Sequence, residues 1–322
     1  MPDDRAEVCV FASSFFLTVS IEKTRDGGPG DELHFHPGGQ GFWIARMLGR
    51  LGVETVLIAP TGGESGEVLR GLAPAWDVDL DPVRVADDSP AYIHDRRNGE
   101  RSQIAVSALP VLDRHEIDDL YGRVLASAAG AGLCVVTGRT PGDPLALSFY
   151  ERLGADLKAV GARVVGDLHG DEMKAFLRGG PMHSLKVSDE ELVADGEMEA
   201  SAGEPERLAA MESLRRCGAE RVIVSSAGGA TLMLGPDGAH RATLPSLKAV
   251  DHRGSGDSMT AALAYAALHG LGAAETLRLA CAAGAANVTR HGLGNADADL
   301  VRSLAERVGV EAVGRSAGHA EP

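Results

Sequence analysis

The sequence is poor in basic residues. Its 322 residues include 31 Lys and Arg against 46 Asp and Glu, so the formal net charge is −15. No segment combines clustered Lys or Arg with aromatic side chains. Because nucleic-acid binding depends on positive charge facing the phosphate backbone, we expect no nucleic-acid partner.

Long apolar runs are also missing. The most apolar segment near the N-terminus is VCVFASSFFLTVSI, at residues 8–21. It is too short to span a bilayer, acidic residues precede it, and no small-residue cleavage site follows it. We therefore interpret it as strand and expect a soluble protein with no membrane partner.

Cysteine is rare, and its spacing indicates neither a metal site nor a disulfide framework. The four cysteines, Cys9, Cys134, Cys217 and Cys281, form no C-x-x-C pair, and most lie in apolar or alanine-rich surroundings. This pattern is typical of reduced core cysteines, so we predict a cytoplasmic protein.

Two common nucleotide-binding motifs are absent. No G-x-G-x-x-G follows the first strand, and no Walker-type GK[ST] occurs. A dinucleotide-dependent oxidoreductase is therefore a weak hypothesis. Internal repeats and low-complexity linkers are missing too, which predicts one domain over residues 1–311. The small and polar residues 312–322 are typical of a flexible C-terminal tail.

The pattern that is present alternates strands with helices. Val-, Ile- and Leu-rich runs such as ETVLIAP, GLCVVTG and ARVVGDL are followed by longer helical patterns such as PLALSFYERLGADLKAV. This predicts an α/β fold, a doubly wound and mostly parallel sheet with helices on both faces. Ligands of such sheets bind beyond the carboxyl ends of the strands.

Two segments interrupt this alternation. Residues 11–36 and 89–106 resemble antiparallel strand pairs, with turns at DGGPGD and RRNGER. They predict either a small β lid inserted between the first α/β units or ordinary hairpins at the sheet edge. The pattern alone leaves both interpretations open.

The stretch VDHRGSGDSM, residues 250–259, places glycines, a serine and an acid before an alanine-rich helical pattern. One interpretation is a turn and helix cap. The other is an anion site, because a glycine-rich turn that opens a helix directs free N–H groups and the positive end of the helix dipole at a ligand. Asp257 would repel that anion, so its role is better explained as a base that acts on an attacking group.

These residues, with others along the chain, resemble the PfkB group of ribokinase-like carbohydrate kinases, in particular its 1-phosphofructokinase and tagatose-6-phosphate kinase branch. GSGDS at residues 254–258 is similar to the second family signature. GGQGFWIARMLGRLGVETVLIAPTGG at residues 38–63 matches the first signature in spacing. GRTPGDP, ARVVGDLHG and KVSDEEL resemble the landmarks between them.

The resemblance implies phosphoryl transfer from ATP with Mg²⁺ to a hydroxyl. Asp257 would take the proton of that hydroxyl, while the N–H groups of Gly254, Ser255 and Gly256 would stabilise the charge on the transferred phosphoryl. Glu191 matches the family acid that organises the hydration shell of Mg²⁺. A solvated glutamate at a helix start is the alternative for Glu191.

The resemblance also implies the nucleotide contacts. The segments VIVSSAGGATLML and CAAGAANVTRHGLG occupy the positions of the family loops that flank the nucleotide. The candidates are Ser188, Ser225, Gly228, Gly284 and Asn287. Ser188 replaces the family Asn, and for Gly284 close helix packing is an equal alternative.

The acceptor side departs from the family. Phe16 stands where relatives carry a substrate-binding Asp, and Trp43 replaces the Asn of the first signature. The basic and amide residues of the lid align with Ser89, Ala91 and Ile93. With Gly38 and Gly39, the two aromatic residues predict an apolar, atypical acceptor pocket, although an alignment error would instead place both in the core.

The leading hypothesis is therefore an ATP-dependent kinase of a small-molecule hydroxyl, by default a sugar or sugar phosphate. The resemblance also implies a homodimer formed through the lid. The main alternative is a catalytically weak nucleotide-binding protein that senses a metabolite, because several acceptor-binding residues are replaced.

Overall fold

The computed structural model describes residues 6–24, 28–140, 142–226, 229–244, 254–288 and 297–314. The strands are β1 (Val8–Phe11), β2 (Phe16–Lys23), β3 (Asp31–Gly38), β4 (Thr55–Gly62), β5 (Asp79–Val85), β6 (Ala91–Asp95), β7 (Ser102–Val106), β8 (Leu133–Thr137), β9 (Arg163–Asp167), β10 (Met182–Ser188), β11 (Ala219–Ser225), β12 (Thr231–Gly235), β13 (Gly238–Thr243) and β14 (Gly309–Val313). The helices are α1 (Gln40–Arg50), α2 (Gly63–Ala75), α3 (Arg114–Ala131), α4 (Leu147–Ala159), α5 (Gly170–Gly179), α6 (Asp189–Ala194), α7 (Glu204–Arg216), α8 (Ser255–His269), α9 (Ala273–Val288) and α10 (Ala298–Ala305).

The main sheet has ten strands in the order β14-β13-β12-β11-β10-β9-β8-β1-β4-β5. The seven strands from β11 to β5 pair in parallel, and β12 to β14 add an antiparallel edge. Central strands such as β8 (LCVVT) are buried along their whole length, as expected for strands covered on both faces. The predicted mostly parallel sheet is confirmed.

Two apolar cores flank the main sheet. One joins it to α1, α8, α9 and α10, and the other joins it to α3, α4, α5 and α7. Helices therefore cover both faces, which confirms the doubly wound architecture. No helix among the described residues is long and apolar enough to cross a membrane.

A second sheet of four strands, in the order β3-β2-β6-β7, corresponds to the predicted lid. Its two hairpins are antiparallel, but they join through a parallel pairing of β2 with β6. The apolar N-terminal segment is therefore not one strand. Phe11 ends β1 in the main sheet, and Phe16 begins β2 in the lid.

The end of the chain differs from the sequence prediction. Strand β14 continues to Val313, with Ala312 opposite His240 and Val313 opposite Ala239. Residues 312 and 313 thus belong to the main sheet and not to the predicted tail. Their composition resembles a frayed terminus, but main-chain pairing with β13 orders them. Residues 315–322 lie outside the described part of the chain.

Candidate active site

The catalytic turn predicted from the sequence forms the start of helix α8. Gly254 is its N-cap residue, with φ 70°, a left-handed conformation that glycine adopts without strain. No side chain of the described residues caps the helix. The first N–H groups of α8 are therefore available to an anion, and the helix dipole favours negative charge there.

Asp257 lies in the first turn of α8 and borders a cavity in front of that turn. Burial, together with the negative charges of Asp167 and Glu191, raises its pKa from 3.8 to about 8, although the positive charge of Lys186 opposes this shift. A carboxylate with such a high proton affinity is suited to accept a proton near neutral pH.

Lys186 is the cation of this cluster, and it is almost completely buried. Its Nζ lies 3.3 Å from Asp167 Oδ1 and 4.0 Å from Glu191 Oε2. Burial lowers the Lys186 pKa, but the charges of Asp167, Glu191 and Asp257 outweigh burial and raise it above its usual value. Thr260, one turn beyond Asp257, donates to Asp167 Oδ2 at 2.7 Å. Through its contacts with Lys186 and Thr260, Asp167 therefore connects β9 with β10 and with α8.

Ser188 and Glu191 form a reciprocal capping box at the start of α6. Ser188 N donates to Glu191 Oε2 at 2.7 Å, and Glu191 N donates to Ser188 Oγ at 3.2 Å. Burial tends to raise the Glu191 pKa, but Lys186 and the hydrogen bonds from Ser188 lower it overall, so the side chain is ionised. The predicted roles of both residues toward nucleotide and metal stay predictions.

The donor set near Glu191 fits Mg²⁺ that is bound mainly by water and phosphate. Among the described residues, no group of three or more His, Cys, Asp or Glu could hold a metal ion. Mg²⁺ sites of phosphoryl-transfer enzymes typically use one or two carboxylates with several waters and the phosphates themselves. An ionised carboxylate beside the catalytic turn meets that requirement.

The predicted nucleotide-binding residues are only partly brought together. Ser225 lies opposite Ser188 at the carboxyl ends of adjacent strands. A Cβ added to Gly284 would lie 2.9 Å from Met259 Cγ, so this glycine allows α8 and α9 to pack closely. Asn287 is buried, at 1% exposure, and Gly228 lies outside the described residues.

All four predicted acceptor residues border one cavity of about 500 Å³ that also reaches the catalytic turn. Its lining comes from α1, α8, the lid and the segment after α2, and comprises Phe16, Thr18, Ser20, His36, Gly38, Gly39, Gln40, Trp43, Trp76, Tyr92, His94, Arg96, Arg101, Gln103, Gly254 and Asp257. Phe16 and Trp43 are each less than 10% exposed, yet both reach the cavity. Whether they contact a substrate stays a prediction.

Aromatic rings form much of the cavity wall. Phe16 packs against Tyr92 with ring centroids 5.1 Å apart, and Trp43 packs edge-on against Trp76 at 6.0 Å. The Arg46 guanidinium lies over the Trp76 ring, 4.1 Å from its centroid, which adds a cation–π contact. These mutual contacts hold the aromatic side chains of the cavity wall in place.

The lid contributes positive charge at the other end of the cavity. Arg96 and Arg101 line it, and Arg101 Nη2 contacts His94 Nε2. Arg97 is not part of the lining; it pairs with Asp95 and Asp31.

Alternate residues of the lid strand β6 face the cavity. Ile93 pairs with Val19, and neither residue borders the cavity. Tyr92 and His94, on either side of Ile93 in β6, do border it. The position that corresponds to a basic family residue, Ile93, therefore does not border the cavity.

Several residues of the site were missed by the sequence reasoning. Trp76, Tyr92, His36 and His94 carry no motif, and only the packing of the lid over α1 and α2 brings them to the cavity. Lys186 could have been found, because it lies two residues before Ser188 in the segment KVSDEEL.

Comparison with known proteins identifies relatives over most of the chain. The model of the family described as pfkB family carbohydrate kinase matches residues 6–299. An ATP-dependent 6-phosphofructokinase isozyme 2 of Escherichia coli is 28% identical over 260 residues, covering 80% of this chain and 83% of the relative. A 1-phosphofructokinase of Bacillus subtilis is 27% identical over 80% of this chain and 84% of its own length.

Solved structures have the same fold. Phosphofructokinase-2 from Escherichia coli, solved in complex with potassium, superposes with a TM-score of 0.82 at 24% identity, covering 94% of this chain and 99% of that protein. A possible 1-phosphofructokinase from Thermotoga maritima gives a TM-score of 0.78 at 17% identity, with 95% and 99% covered. These likenesses confirm the ribokinase-like architecture.

Proposed function

The chain belongs to the pfkB family of carbohydrate kinases, and from this membership we propose that it phosphorylates a small-molecule hydroxyl bound in the cavity before α8. It is an ATP-dependent kinase that uses Mg²⁺. The observation that carries the proposal is that Asp257 and Gly254 border the same cavity as the acceptor candidates Phe16 and Trp43. The chain as far as Val313 then acts as one kinase domain with the four-stranded sheet as its lid.

The chemical role of this chain is to hold the acceptor and to move one proton. Asp257 accepts the proton of the attacking hydroxyl, and its raised pKa increases the driving force for that transfer. The N–H groups of Gly254, Ser255 and Gly256 lie where the helix dipole stabilises negative charge that develops on the transferred group. The positive charge of Lys186 partly neutralises the carboxylates of Asp167 and Glu191.

ATP with Mg²⁺ supplies the phosphoryl group and the divalent charge that balances it. Glu191 would hold the hydrated metal, and Ser188 and Ser225, at adjacent strand ends, would face the phosphates. Gly228, Gly284 and Asn287 remain candidates for the nucleotide side. An ATP-consuming reaction also supports the cytoplasmic location predicted from the cysteines.

Sugar phosphates are the default acceptor class, since relatives are named as kinases of fructose phosphates and of D-tagatose 1-phosphate. The cavity of this chain supports a variant of that class. Rings at Phe16, Trp43, Trp76 and Tyr92 offer flat apolar faces and few hydrogen bonds, which favours an acceptor with a flat or less hydroxylated face.

The lid end of the cavity adds two polar features to this acceptor. Arg96 and Arg101 provide positive charge suited to an acidic group. His36 Nδ1 is buried with no hydrogen-bond partner in the described part of the chain. Burial lowers the His36 pKa, so a neutral ring there is suited to one hydrogen bond with the acceptor.

An ADP-release screen tests both the proposed kinase activity and the proposed acceptor class. Sugars, sugar phosphates, nucleosides and ring-bearing alcohols with and without an acidic group are compared, with Asp257→Asn as the blank. ADP release above the blank with some acceptor supports the kinase. If nucleotide binds but no acceptor supports turnover, the protein is the weakly catalytic sensor instead. Efficient use of fructose or tagatose phosphates alone would contradict the atypical pocket.

A homodimer through the lid is the further part of the proposal. On the side of the lid that faces away from the cavity, Val19 pairs with Phe35 and Ile21 pairs with Leu33. Leu33 and Phe35 are 57% and 47% exposed. Such a patch favours burial against a second copy, and one solved form of Escherichia coli phosphofructokinase-2 is described as tetrameric.

Light scattering coupled to gel filtration tests this dimer. The double variant Leu33→Asp and Phe35→Asp is expected to elute as a monomer, whereas wild type elutes as a dimer. Val111→Asp is the matched control, because Val111 is 73% exposed but lies outside the lid. A monomeric wild type would exclude the lid dimer.

A further inference from the structure

A second polar cavity lies at the other edge of the main sheet, away from the catalytic turn. It has a volume of about 90 Å³ and lies between the first residues of β9, β10 and β11 and the corner where α8 meets α9. Its lining consists of Arg163, His183, Ser184, Arg221, Leu263, Ala266, Ala267, Gly270, Leu271 and Thr276. Two guanidinium groups and an imidazole therefore surround a small space in a protein of net charge −15.

The two arginines are held in place by contacts that leave donors unused. Arg163 Nη1 donates to the carbonyl oxygen of Ala267 in the last turn of α8. Arg221 Nη1 donates to His183 Nε2 at 2.8 Å. Each guanidinium has five N–H donors in a planar fork, so both retain donors for a further acceptor. Arg163 forms no ion pair with any described residue.

One carboxylate faces this group. Glu220 Oε2 lies 3.3 Å from His183 Nδ1, and Glu220 Oε1 lies 3.5 Å from Arg221 Nη1. The Glu220 side chain is 48% exposed and is not part of the cavity lining. Burial lowers the His183 pKa, so this ring is neutral near pH 7. The lining itself therefore carries two positive charges and no negative one.

Ser184 adds an independent observation. It is 2% exposed and lines the cavity. Its hydroxyl is therefore placed to hydrogen-bond with a ligand bound there. The neighbouring start of α9 also favours negative charge.

The size of the cavity limits the ligand. A water molecule takes about 30 Å³ in the liquid, so the space corresponds to about three waters. We propose that this cavity is a binding site for a small tetrahedral oxyanion such as inorganic phosphate. Arg163, Arg221 and Ser184 donate to its oxygens. A nucleotide or sugar phosphate is too large to enter it whole, which separates this site from the catalytic cavity.

The position of the site connects it to α8. The same helix carries Asp257 in its first turn and Ala266 and Ala267, which line the cavity, near its end. Bound oxyanion would join the first residues of β9 and β11 to the corner between α8 and α9. The expected consequence is slower local opening of that corner.

Hydrogen–deuterium exchange with inorganic phosphate, compared with sodium chloride at equal ionic strength, tests the proposal. Phosphate is expected to slow exchange at residues 263–276 in wild type, and thermal unfolding should show a Tm that rises with the logarithm of phosphate concentration. In Arg221→Gln the dissociation constant for phosphate at this corner should rise about tenfold or more, because a hydrogen bond from a charged donor is lost.

The controls separate this site from others. Gly256→Val alters the catalytic turn and should keep the protection at residues 263–276. Arg178→Gln removes an exposed arginine that pairs with Glu151 and does not line the cavity, and it should behave as wild type. If Arg221→Gln unfolds in chloride alone, Ser184→Ala serves as the second variant. Equal protection by phosphate and chloride in wild type, or unchanged protection in a folded variant, would overturn the proposal.

Discussion

Replacement of Asp257 by Asn probes both the chemistry and the electrostatics of the active site. Asn has nearly the same shape and can still hydrogen-bond, but it accepts no proton. Turnover should fall by about 10²–10⁴-fold, the typical contribution of a general base, while nucleotide binding stays nearly intact. ADP release and ATP titration followed by thermal shift measure the two effects separately.

The same substitution should change the pH dependence of stability. The pKa of Asp257 rises from 3.8 to about 8 on folding, first through burial and then through the charges of Asp167 and Glu191. Between these two values the folded state binds more protons than the unfolded state. Its free energy of unfolding therefore falls as pH rises, by at most about 1.4 kcal/mol per pH unit from this group.

Asp257→Asn removes this pH-dependent decrease in stability, because Asn does not ionise. The stability gain of the variant over wild type should therefore grow from pH 5 to pH 8, by roughly 2 kcal/mol or more. Urea unfolding at pH 5, 6.5 and 8 measures the difference. Asp299→Asn is the matched control, because Asp299 also lies in the first turn of a helix but its side chain is 91% exposed.

Two outcomes would refute this reasoning. A variant with wild-type turnover would show that Asp257 is not the base. A stability difference that is the same at all three pH values would show that the carboxyl is not a buried charge held above its ordinary pKa. An inactive variant with the expected rise in stability would support both the catalytic role of Asp257 and its raised pKa. Catalytic residues are often retained although they lower the stability of the fold.

Three further predictions follow from the same region. Gly256→Val should lower turnover by at least about 10²-fold in a folded protein, because a Cβ at this position lies 2.8 Å from Lys186 Nζ; unchanged kinetics would reduce the turn to a helix cap. Lys186→Met should lower the free energy of unfolding by about 3–5 kcal/mol, since it leaves the buried Asp167 without its cation; urea titration measures this, and an unchanged midpoint would contradict it. Trp43→Asn should shift kcat/KM from ring-bearing acceptors toward sugars, and equal ratios in both enzymes would exclude Trp43 from recognition.

The sequence by itself determined the fold class and the glycine-rich turn at which α8 begins. Both depend on local patterns: strands and helices alternate with characteristic periods, and a glycine-rich turn before a helix has few alternative structures. The family resemblance added the signature at residues 38–63, whose Gly38, Gly39 and Trp43 do reach the cavity. For Gly284 the nucleotide contact stays a prediction, since its close approach to Met259 fits helix packing equally well.

Only the tertiary structure decided which side chains face one another. Trp76 follows α2 and Tyr92 lies in the lid, yet both meet Trp43 and Phe16 around one cavity. Successive residues of a strand point to opposite faces, so a shift of one position decides whether Ile93 or its neighbours line the site. The raised pKa of Asp257 has the same origin. It depends on burial and on charges from strands far away in the chain, and no local pattern records either.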